Sequence, residues 1–503
     1  MLNSKNHIIK ISEISERKYS LSSQTYNSYN LKNKNFEYLD KLIFKPIRGS
    51  DQEEINYLNT SPFIYLKTKG IESNNFIINT DDKSCFEYLH PKAFFKSINK
   101  NRSLIEGDLI YTSSGGDSIG EASIVNNLGG NIVYSSHIFK IIPKDNHLKF
   151  YILAFLKSDF CKNELGTLVY RGATLRRGGD KFLKLRIPFP NSNKNEIISF
   201  ISDLVLSVIN KENKIKEKSK IINSIIDVEL NTNQLPNQFV FRHSKYFESY
   251  QTSRLDTGTY SNEFKTIEFL IRNYKNGIFY INKKNIASGN TPTQRIIDSN
   301  TQLKYKWITP TNISDFGYFI GSDRILFKNK KNNLNKNAML VINRTSKGGL
   351  GEYVGISAFY DYNIYGVGHH NQGIYQVTGY TDYQLKFMAC FMNSPLLRKY
   401  CAGLSVGSKM KELKTNHILS IPFPNFPENK IIEIANLYHN SDVKMNDELN
   451  LDNFTQFDFD FNNKAGIIQL EQQITKIKIH LNKTLENIIN DENVKIDFDF
   501  LNT

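Results

Sequence analysis

The 503-residue chain has few cysteines and no long hydrophobic run. No stretch of about 18 or more apolar residues occurs, which argues against a membrane-spanning helix. The first residues also lack the apolar core and cleavage site of a secretory signal, so we expect a cytoplasmic protein. Cys85, Cys161, Cys390 and Cys401 form no Cys-x-x-Cys pair of the kind that holds zinc or forms a redox couple. We therefore expect buried, reduced thiols and no metal site.

Two enzyme signatures are also missing. No Gly-x4-Gly-Lys-Ser/Thr phosphate loop occurs, so an ATP-driven motor in this polypeptide is not expected. No Pro-Pro dipeptide occurs among the 13 prolines, which excludes the Asn/Asp-Pro-Pro-Tyr/Phe motif of amino-directed DNA methyltransferases. The tandem His369 and His370 have neither a helical i, i+4 partner nor a nearby acidic cluster, which favours a loop or packing role over a metal site. We therefore expect no cofactor bound by the chain itself.

Positive charge is in excess over negative charge. Lys and Arg number 64 against 50 Asp and Glu, which gives a formal net charge of +14. Such an excess is typical of proteins that neutralise nucleic-acid phosphates. A low-GC coding bias is an alternative source of much of the lysine, so charge alone does not identify a nucleic-acid partner.

The chain contains an internal repeat, which is the most informative feature of the sequence. The pentapeptide Ile187–Asn191 recurs identically as Ile421–Asn425. Weaker matches keep the same order and pair Thr112–Gly116 with Thr345–Gly349, Gly120–Glu121 with Gly351–Glu352, and Leu148–Phe150 with Leu385–Phe387. Several anchors in one order are better explained by a duplicated domain than by chance.

Short strand-like runs followed by glycine pairs occur in both copies. They are Asp108–Tyr111 and Asn131–Tyr134 in the first copy, and Arg324–Phe327 and Ala338–Ile342 in the second. Each copy ends with the Ile-Pro-Phe-Pro segment, whose prolines hold the chain extended. The sequence therefore predicts an α+β fold made of two tandem α/β domains with a pseudo-two-fold internal repeat.

A helical period follows each Ile-Pro-Phe-Pro segment. Apolar residues recur every seven positions, at Ile201, Val208, Ile215 and Ile222 in the first helix, and at Ile467, Ile474, Leu481 and Ile488 in the second. This spacing predicts that the two helices pair. The alternative is two surface helices that lie on separate cores.

These patterns divide the chain into four predicted segments. Residues 1–191 form the first domain, 192–235 the first long helix and 236–425 the second domain. Residues 426–503 form the second helical region, which an inserted loop interrupts near 440–464. The final Asp497–Phe500 is predicted to be a loose tail.

A glycine-punctuated basic loop precedes each Ile-Pro-Phe-Pro segment. Arginine can donate two hydrogen bonds to guanine, and lysine supplies a point charge for phosphate. The alternative is a solvated surface loop, but basic residues at the same place in both copies favour contact with double-stranded DNA. The candidate DNA-binding residues are Arg171, Arg176, Arg177 and Lys181 in the first copy, and Lys409, Lys411 and Lys414 in the second, with Lys347 in the preceding glycine turn.

Glu412-Leu413-Lys414 allows a second interpretation of the same region. The tripeptide resembles the Glu-x-Lys half of a common nuclease core, although no upstream catalytic acid can be assigned. A self-contained nuclease, or a specificity module of a restriction system with its own cutting activity, is therefore kept as an alternative function. A helical interaction scaffold whose charge reflects codon bias is a further alternative.

The arrangement resembles the specificity subunits of type I restriction-modification systems over nearly the whole chain. The resemblance is carried by Gly107–Ile110, Ile119–Glu121, Leu350–Glu352, Arg254–Asp256 and the proline segment that enters each helix. It implies two target-recognition domains and two long helices that form an antiparallel coiled coil. Each recognition domain then binds one half of a split, asymmetric DNA site, and the helices fix the spacing between the halves.

The resemblance also implies that the chain is not itself an enzyme. Methyltransferase subunits and restriction or motor subunits are its expected partners. Those subunits, and not this chain, are expected to use S-adenosylmethionine, ATP and Mg²⁺.

Overall fold

The structure is a computed structural model of the chain. Within the described residues the helices and strands form an α+β fold, which confirms the predicted fold class. No helix within the described residues is both long and apolar enough to cross a membrane. The structure describes residues 31–80, 82–115, 118–126, 131–171, 176–243, 258–291, 305–314, 317–319, 325–326, 333–345, 353–445 and 448–502.

The chain folds into two compact units. The first unit comprises Met1–Asn213, Lys444–Asn463 and Gln472–Thr503, and the second comprises Lys214–Val443 and Lys464–Glu471. The first unit is therefore assembled from both ends of the sequence. The predicted division into 1–191, 192–235, 236–425 and 426–503 remains a prediction.

The strands are short, and the first unit contains those up to β14. They are β1 (Phe36–Tyr38), β2 (Ile47–Arg48), β3 (Tyr57–Leu58), β4 (Ile64–Leu66), β5 (Phe86–Leu89), β6 (Ser103–Leu104), β7 (Leu109–Thr112), β8 (Ser114–Gly115), β9 (Ala122–Ile124), β10 (Ile132–Tyr134), β11 (Ile138–Ile141), β12 (Tyr170–Arg171), β13 (Arg176–Arg177) and β14 (Arg186–Pro188). Those of the second unit are β15 (Ile278–Phe279), β16 (Ile286–Ser288), β17 (Tyr305–Ile308), β18 (Ile325–Leu326), β19 (Asn333–Leu334), β20 (Ala338–Ile342), β21 (Arg344–Thr345), β22 (Ser357–Tyr360), β23 (Gly368–His370), β24 (Ile374–Val377), β25 (Lys411–Glu412) and β26 (Phe423–Pro424).

The α-helices range from one turn to 39 residues, the length of α5. They are α1 (Leu39–Leu42), α2 (Pro91–Ile98), α3 (Lys149–Lys157), α4 (Asp159–Leu168), α5 (Lys194–Thr232), α6 (Asn262–Arg272), α7 (Tyr362–Tyr365), α8 (Asp382–Asn393), α9 (Pro395–Leu404), α10 (Thr415–Leu419), α11 (Glu428–Tyr438), α12 (Phe454–Lys464) and α13 (Ile467–Asn490).

The sheets of the two units share one plan. In the first unit the sheet β2-β11-β7-β9 lies beside the sheet β3-β5-β4-β10-β6, and the corresponding sheets of the second are β16-β24-β20-β22 and β18-β17-β23-β19. Among the described strand pairs, β4 with β10 in the first unit and β17 with β23 in the second are parallel, and the others are antiparallel. The matched topology supports the duplication that the sequence predicted.

The proline segments form edge strands in both units. β14 pairs antiparallel with β1, and β26 pairs antiparallel with β15. Proline lacks a backbone donor and therefore suits a strand with one unpaired edge. This placement follows directly from the Ile-Pro-Phe-Pro pattern.

Each unit has its own hydrophobic core. In the first, Leu66, Ile110 and Ile138 belong to one buried cluster between the sheets. In the second, Ile308, Leu340 and Tyr360 belong to the corresponding cluster. The central strands β7 and β20 are buried at every position, which is typical of strands covered on both faces.

The four cysteines are buried and free, as the sequence analysis expected. Burial raises the pKa of the Cys85 thiol to about 11 and that of Cys401 to about 12. Burial likewise raises the pKa of Cys161 and Cys390. These thiols are therefore protonated at neutral pH.

Helices α5 and α13 contact each other in the first unit. The Asn191 side chain, just before α5, donates a hydrogen bond to Asp491, just after α13. Farther along α5, Glu212 pairs with Lys478 in the interior of α13. The contacts run in opposite directions along the two helices, so the helices are antiparallel there.

The eight predicted pairing residues are all buried, namely Ile201, Val208, Ile215, Ile222, Ile467, Ile474, Leu481 and Ile488. Their assignment to one continuous seam remains a prediction.

The predicted inserted loop near 440–464 is partly wrong, because its second half is helix α12. Asp458 of this helix pairs with Lys211 of α5 and accepts a hydrogen bond from Ser207 at 2.8 Å. Lys211 is fully buried, and its ammonium also lies over the Phe461 ring. The insertion is therefore docked on α5 through a buried ion pair.

The prediction of a loose tail at Asp497–Phe500 is also wrong. Phe498 is buried between the rings of Phe200 and Phe454, and Phe500 stacks on His480 with ring centroids 4.0 Å apart. Burial of these aromatic rings holds the end of the chain against α5, α12 and α13.

Candidate nucleic-acid interface

The basic loop of the first unit is a small three-stranded sheet, called here the first ribbon. Its central strand β13 pairs with β12 on one side and with β8 on the other, all antiparallel. Arg176 lies opposite Arg171 and Gly115, whereas Arg177 lies opposite Tyr170 and Ser114. The structure therefore brings three of the predicted arginines onto two neighbouring strands next to the glycine turn.

The first ribbon is fixed to the sheet behind it by backbone contacts. The Gly178 amide donates to the Ser113 carbonyl at 2.8 Å. A Cβ at Gly178 would lie 2.5 Å from that carbonyl oxygen, so only glycine allows this approach. Phe182 is fully buried against Tyr111, with ring centroids 4.7 Å apart. The half-buried Lys181 lies on the turn between Gly178 and Phe182.

The basic loop of the second unit forms the corresponding second ribbon, made of β21, β25 and the bridge residue Val406. Arg344 lies opposite Glu412, and Thr345 lies opposite Lys411. Val406 bridges to the other edge of Glu412. The Leu413 amide donates to the Asn343 carbonyl at 2.7 Å, which reproduces the anchor of the first ribbon.

The predicted lysines of the second unit surround this ribbon. Lys411 is on the central strand and half-buried, whereas Lys409 and Lys414 are exposed on either side. Lys347 lies outside the described residues. Arg344, which lies on the strand paired with β25, was not among the residues predicted from the sequence. The signal for it was its place two residues after the buried strand β20, which corresponds to the place of Ser114 after β7 in the first copy.

The two copies correspond differently from the sequence match. The amides of Gly120 and Gly355 each donate at 2.8 Å to the last residue of a buried strand, Thr112 and Ile342 respectively. Both glycines have φ of +84°, which favours glycine. Gly120 therefore corresponds to Gly355 and not to Gly351, which is outside the described residues, as are Glu352 and Arg254–Asp256.

The nuclease alternative has limited geometric support. Glu412 is half-buried in the central strand of the second ribbon, opposite Arg344. Among the described residues, no group of three or more His, Cys, Asp and Glu side chains is placed to hold a metal ion. The arrangement around Glu412 thus provides a hydrogen-bonded strand and not a carboxylate cluster.

The tandem histidines lie in strand β23 and are buried. Both ring nitrogens of His370 are within hydrogen-bonding distance of acceptors, the Ile374 carbonyl at 3.0 Å and the Gln376 side-chain oxygen at 3.2 Å. Burial lowers the pKa of His370 to about 4, so the ring is neutral at neutral pH. His369 stacks on Trp307. These contacts give both rings a packing role within the sheet.

Comparison with protein families gives one match. Residues 65–220 match the family described as the type I restriction modification DNA specificity domain. This segment contains all three strands of the first ribbon and the first part of α5. The match confirms, over these residues, the resemblance that the sequence motifs indicated. Among curated proteins, no sequence matches the chain significantly.

Two solved subunit structures are among those similar to the chain. One is the S subunit of a type I restriction-modification system from M. genitalium, with 12% identity, coverage of 92% of this chain and 98% of that chain, and a TM-score of 0.41. Another is the HsdS subunit from Thermoanaerobacter tengcongensis, with 13% identity, coverage of 91% and 97%, and a TM-score of 0.26.

Proposed function

Because residues 65–220 belong to the type I restriction modification DNA specificity domain family, we propose that the chain is the DNA-binding specificity subunit of a type I restriction-modification complex. Each unit binds one half of a split, asymmetric site in double-stranded DNA. The chain catalyses no reaction and acts in the cytoplasm. Its partners are methyltransferase and restriction subunits, which use S-adenosylmethionine, ATP and Mg²⁺.

The observation that carries the proposal is the basic ribbon found at the same place in both units. A short β-ribbon fits the major groove of B-DNA, where each base pair presents a distinct pattern of donors and acceptors. The central strands differ, with Arg176 and Arg177 in the first ribbon and Lys411 and Glu412 in the second. Different donors and acceptors at matching positions support two different half-sites.

Helix α5 supports a spacing role. Its 39 residues correspond to roughly 58 Å at the usual rise per residue. In the proposal, α5 and α13 together set the number of base pairs between the two halves. Shortening α5 by the heptad 208–214 is expected to change the accepted spacer or abolish binding.

The test is selection of DNA from a random double-stranded library by the purified full chain. We expect enrichment of one two-part motif. R176A/R177A is expected to lose base preference in one half only, and K409A/K411A in the other half. The matched controls are K92A/K96A and K283A/K284A, which alter exposed lysines away from the ribbons.

Three results would contradict parts of the proposal. Failure of the wild-type chain to enrich any motif would overturn the function. Equal loss of all binding in both ribbon variants would identify the ribbons as nonspecific phosphate contacts. Affinity that does not fall as the salt concentration rises would exclude a phosphate-contacting interface.

A further inference from the structure

A largely buried ionic cluster lies in the first unit, formed by residues outside the first ribbon. It consists of Glu121, Lys157, Lys162, Glu212 and Lys478, and is called here the Glu212 cluster. Its members come from a strand edge, two short helices and both long helices. Burying several charges together is costly unless each is paired, so such a cluster requires an explanation.

The Glu212 carboxylate binds backbone as well as a cation. Its Oε2 accepts hydrogen bonds from the amides of Phe76 at 2.9 Å and Ile77 at 3.1 Å. Its Oε1 accepts from the Lys478 ammonium at 3.1 Å. Glu212 is only 8% exposed. One side chain of α5 therefore holds two consecutive residues of the recognition domain by charge-assisted hydrogen bonds.

Two lysines complete the grip on the same segment. The Lys478 ammonium donates to the Asn74 carbonyl at 2.5 Å. The buried Phe76 ring has the ammonium of Lys157 at 5.2 Å and that of Lys478 at 5.6 Å from its centroid. Cations at these distances from an aromatic ring are attracted to its face. Segment 74–77 is thus held from α3, α5 and α13 together.

A short chain of hydrogen bonds leads from this segment to the first ribbon. The Ile124 amide donates to the Phe76 carbonyl at 2.7 Å, and Lys157 donates to the Ala122 carbonyl at 3.1 Å, so both contacts hold β9. The Thr112 amide donates to the Glu121 carbonyl, just before β9, at 2.8 Å. Thr112 directly precedes the ribbon residues Ser113 and Ser114. The base of the first ribbon is therefore connected to α5 through a contiguous network.

We propose that Glu212 is a positioning residue for DNA recognition. By holding Phe76 and Ile77 on α5, it fixes the first ribbon relative to the spacer helix and so restricts the spacer length that the protein accepts. The inference rests on the proposed function, because it assigns a role within the recognition of a split site. Glu212 itself does not need to touch DNA.

The experiment measures spacer selectivity. A set of DNA duplexes carries the two half-sites that the wild-type chain enriches. The spacer between the half-sites varies in steps of one base pair, from two base pairs shorter to two base pairs longer than the selected spacer. The variants are E212A, the nearly isosteric E212Q, and K478M, which removes the ion pair and the Asn74 contact. E217A is the control, since Glu217 is exposed on the same helix.

We expect the wild-type chain and E217A to bind one spacer length. E212A is expected to raise the relative affinity for neighbouring spacers by about tenfold, while base preference within the second half-site stays unchanged. E212Q keeps one oxygen that can accept from the amides and is expected to be intermediate. K478M should also broaden the distribution, which keeps the test decisive if E212A does not fold.

The alternatives are distinguishable. An unchanged spacer distribution in folded E212Q and K478M would overturn the inference while leaving the proposed function intact. An equal loss of affinity at every spacer would show that Glu212 only stabilises the fold, and would also overturn it. Failure of the wild-type chain to select a two-part motif would overturn the proposed function and this inference with it.

Discussion

In each unit the last residue of one helix is hydrogen-bonded to the first residue of an edge strand, but the side chains that make this connection differ in their chemistry. In the first, Lys157 ends α3 and its buried ammonium donates to the carbonyls of Glu72 at 3.0 Å and Ala122 at 3.1 Å. In the second, Asn393 ends α8; its side chain donates to the Ser357 carbonyl at 2.7 Å and accepts from the Ser357 amide at 2.9 Å. Ala122 and Ser357 each start the strand that lies at the edge of the central sheet.

The neighbouring positions show the same contrast. Glu121, which precedes Ala122, corresponds to Ile356, which precedes Ser357. In the first unit Glu121 pairs with Lys162 at 2.8 Å and lies 3.8 Å from Lys157. In the second unit Ile356 belongs to the hydrophobic core. The same backbone geometry therefore accepts either an ionic or a neutral connection. We expect the contributions of these two connections to the free energy of unfolding to differ in their dependence on pH and on single substitutions.

The largest effect is expected from Asp458→Ala, which tests how strongly the first unit depends on buried ion pairs. The substitution leaves the fully buried Lys211 ammonium without its carboxylate. We expect the free energy of unfolding to fall by about 3–5 kcal/mol. Urea denaturation measures the change, and D460A, which alters an exposed residue of the same helix, is the control. A loss equal to that of D460A would show that the ion pair contributes little.

A pH-dependent effect is expected at Lys157. Burial lowers its folded-state pKa to about 7 from 10.5, so between these values the unfolded chain holds a proton that the folded chain lacks. The contribution of this group to unfolding free energy therefore rises with pH, by at most about 1.4 kcal/mol per pH unit. Denaturation at pH 7, 8 and 9 should show a steeper rise for the wild-type chain than for K157M. Parallel curves for the two proteins would contradict the assignment.

A smaller, pH-independent effect is expected at the neutral counterpart. Asn393→Ala removes both hydrogen bonds to Ser357, and the expected cost is about 1–3 kcal/mol. Faster hydrogen exchange in the segment 353–360 would report it, with N416A, an exposed substitution in the same unit, as the control. The loss of unfolding free energy caused by N393A is expected to be the same at pH 7 and at pH 9. A change between these pH values like that of K157M would contradict the difference between an ionic and a neutral connection.

Periodic features of the sequence predicted much of the fold. The strand-like run Ala338–Ile342 is β20, and the heptad spacing after Pro190 predicted the long helix α5. The Ile-Pro-Phe-Pro segments fall on the paired edge strands β14 and β26. These elements could be predicted because their residue pattern and their structure share one period.

Other elements depend on contacts that a sequence pattern does not contain. In Phe457–Phe461, Phe alternates with Asp, which resembles a strand or loop, yet α12 buries Phe454, Asp458, Phe461 and Asn462 at helical spacing. The aspartate faces inward because Lys211, 247 residues away in sequence, supplies its partner. The tail was predicted to be loose for the same reason, since its aromatic partners are distant in sequence.

The sequence predicted which basic residues the candidate interface contains, but not how the strands of the two ribbons pair or correspond. The basic residues of both loops could be predicted from the sequence, and the structure places Arg176 and Lys411 on corresponding central strands. Arg344 was not predicted, because the match of Thr112–Gly116 with Thr345–Gly349 aligned the two turns three residues out of register. The correct correspondence depends on the positive φ of Gly120 and Gly355 and on the hydrogen bonds that their amides donate, and a sequence pattern contains neither.

The first unit is closed by contacts between residues that lie up to 455 positions apart in the sequence. The Asn33 side chain donates to the carbonyls of Phe189 and Ile488, both at 2.9 Å, and the Leu501 carbonyl accepts hydrogen bonds from the side chains of Gln473 and Lys476 on α13. A ribosome must therefore synthesise the chain at least as far as Leu501 before this unit can be completed, whereas residues 214–443 of the second emerge earlier. Loss of residues 473–502 would accordingly destabilise the first unit before the second.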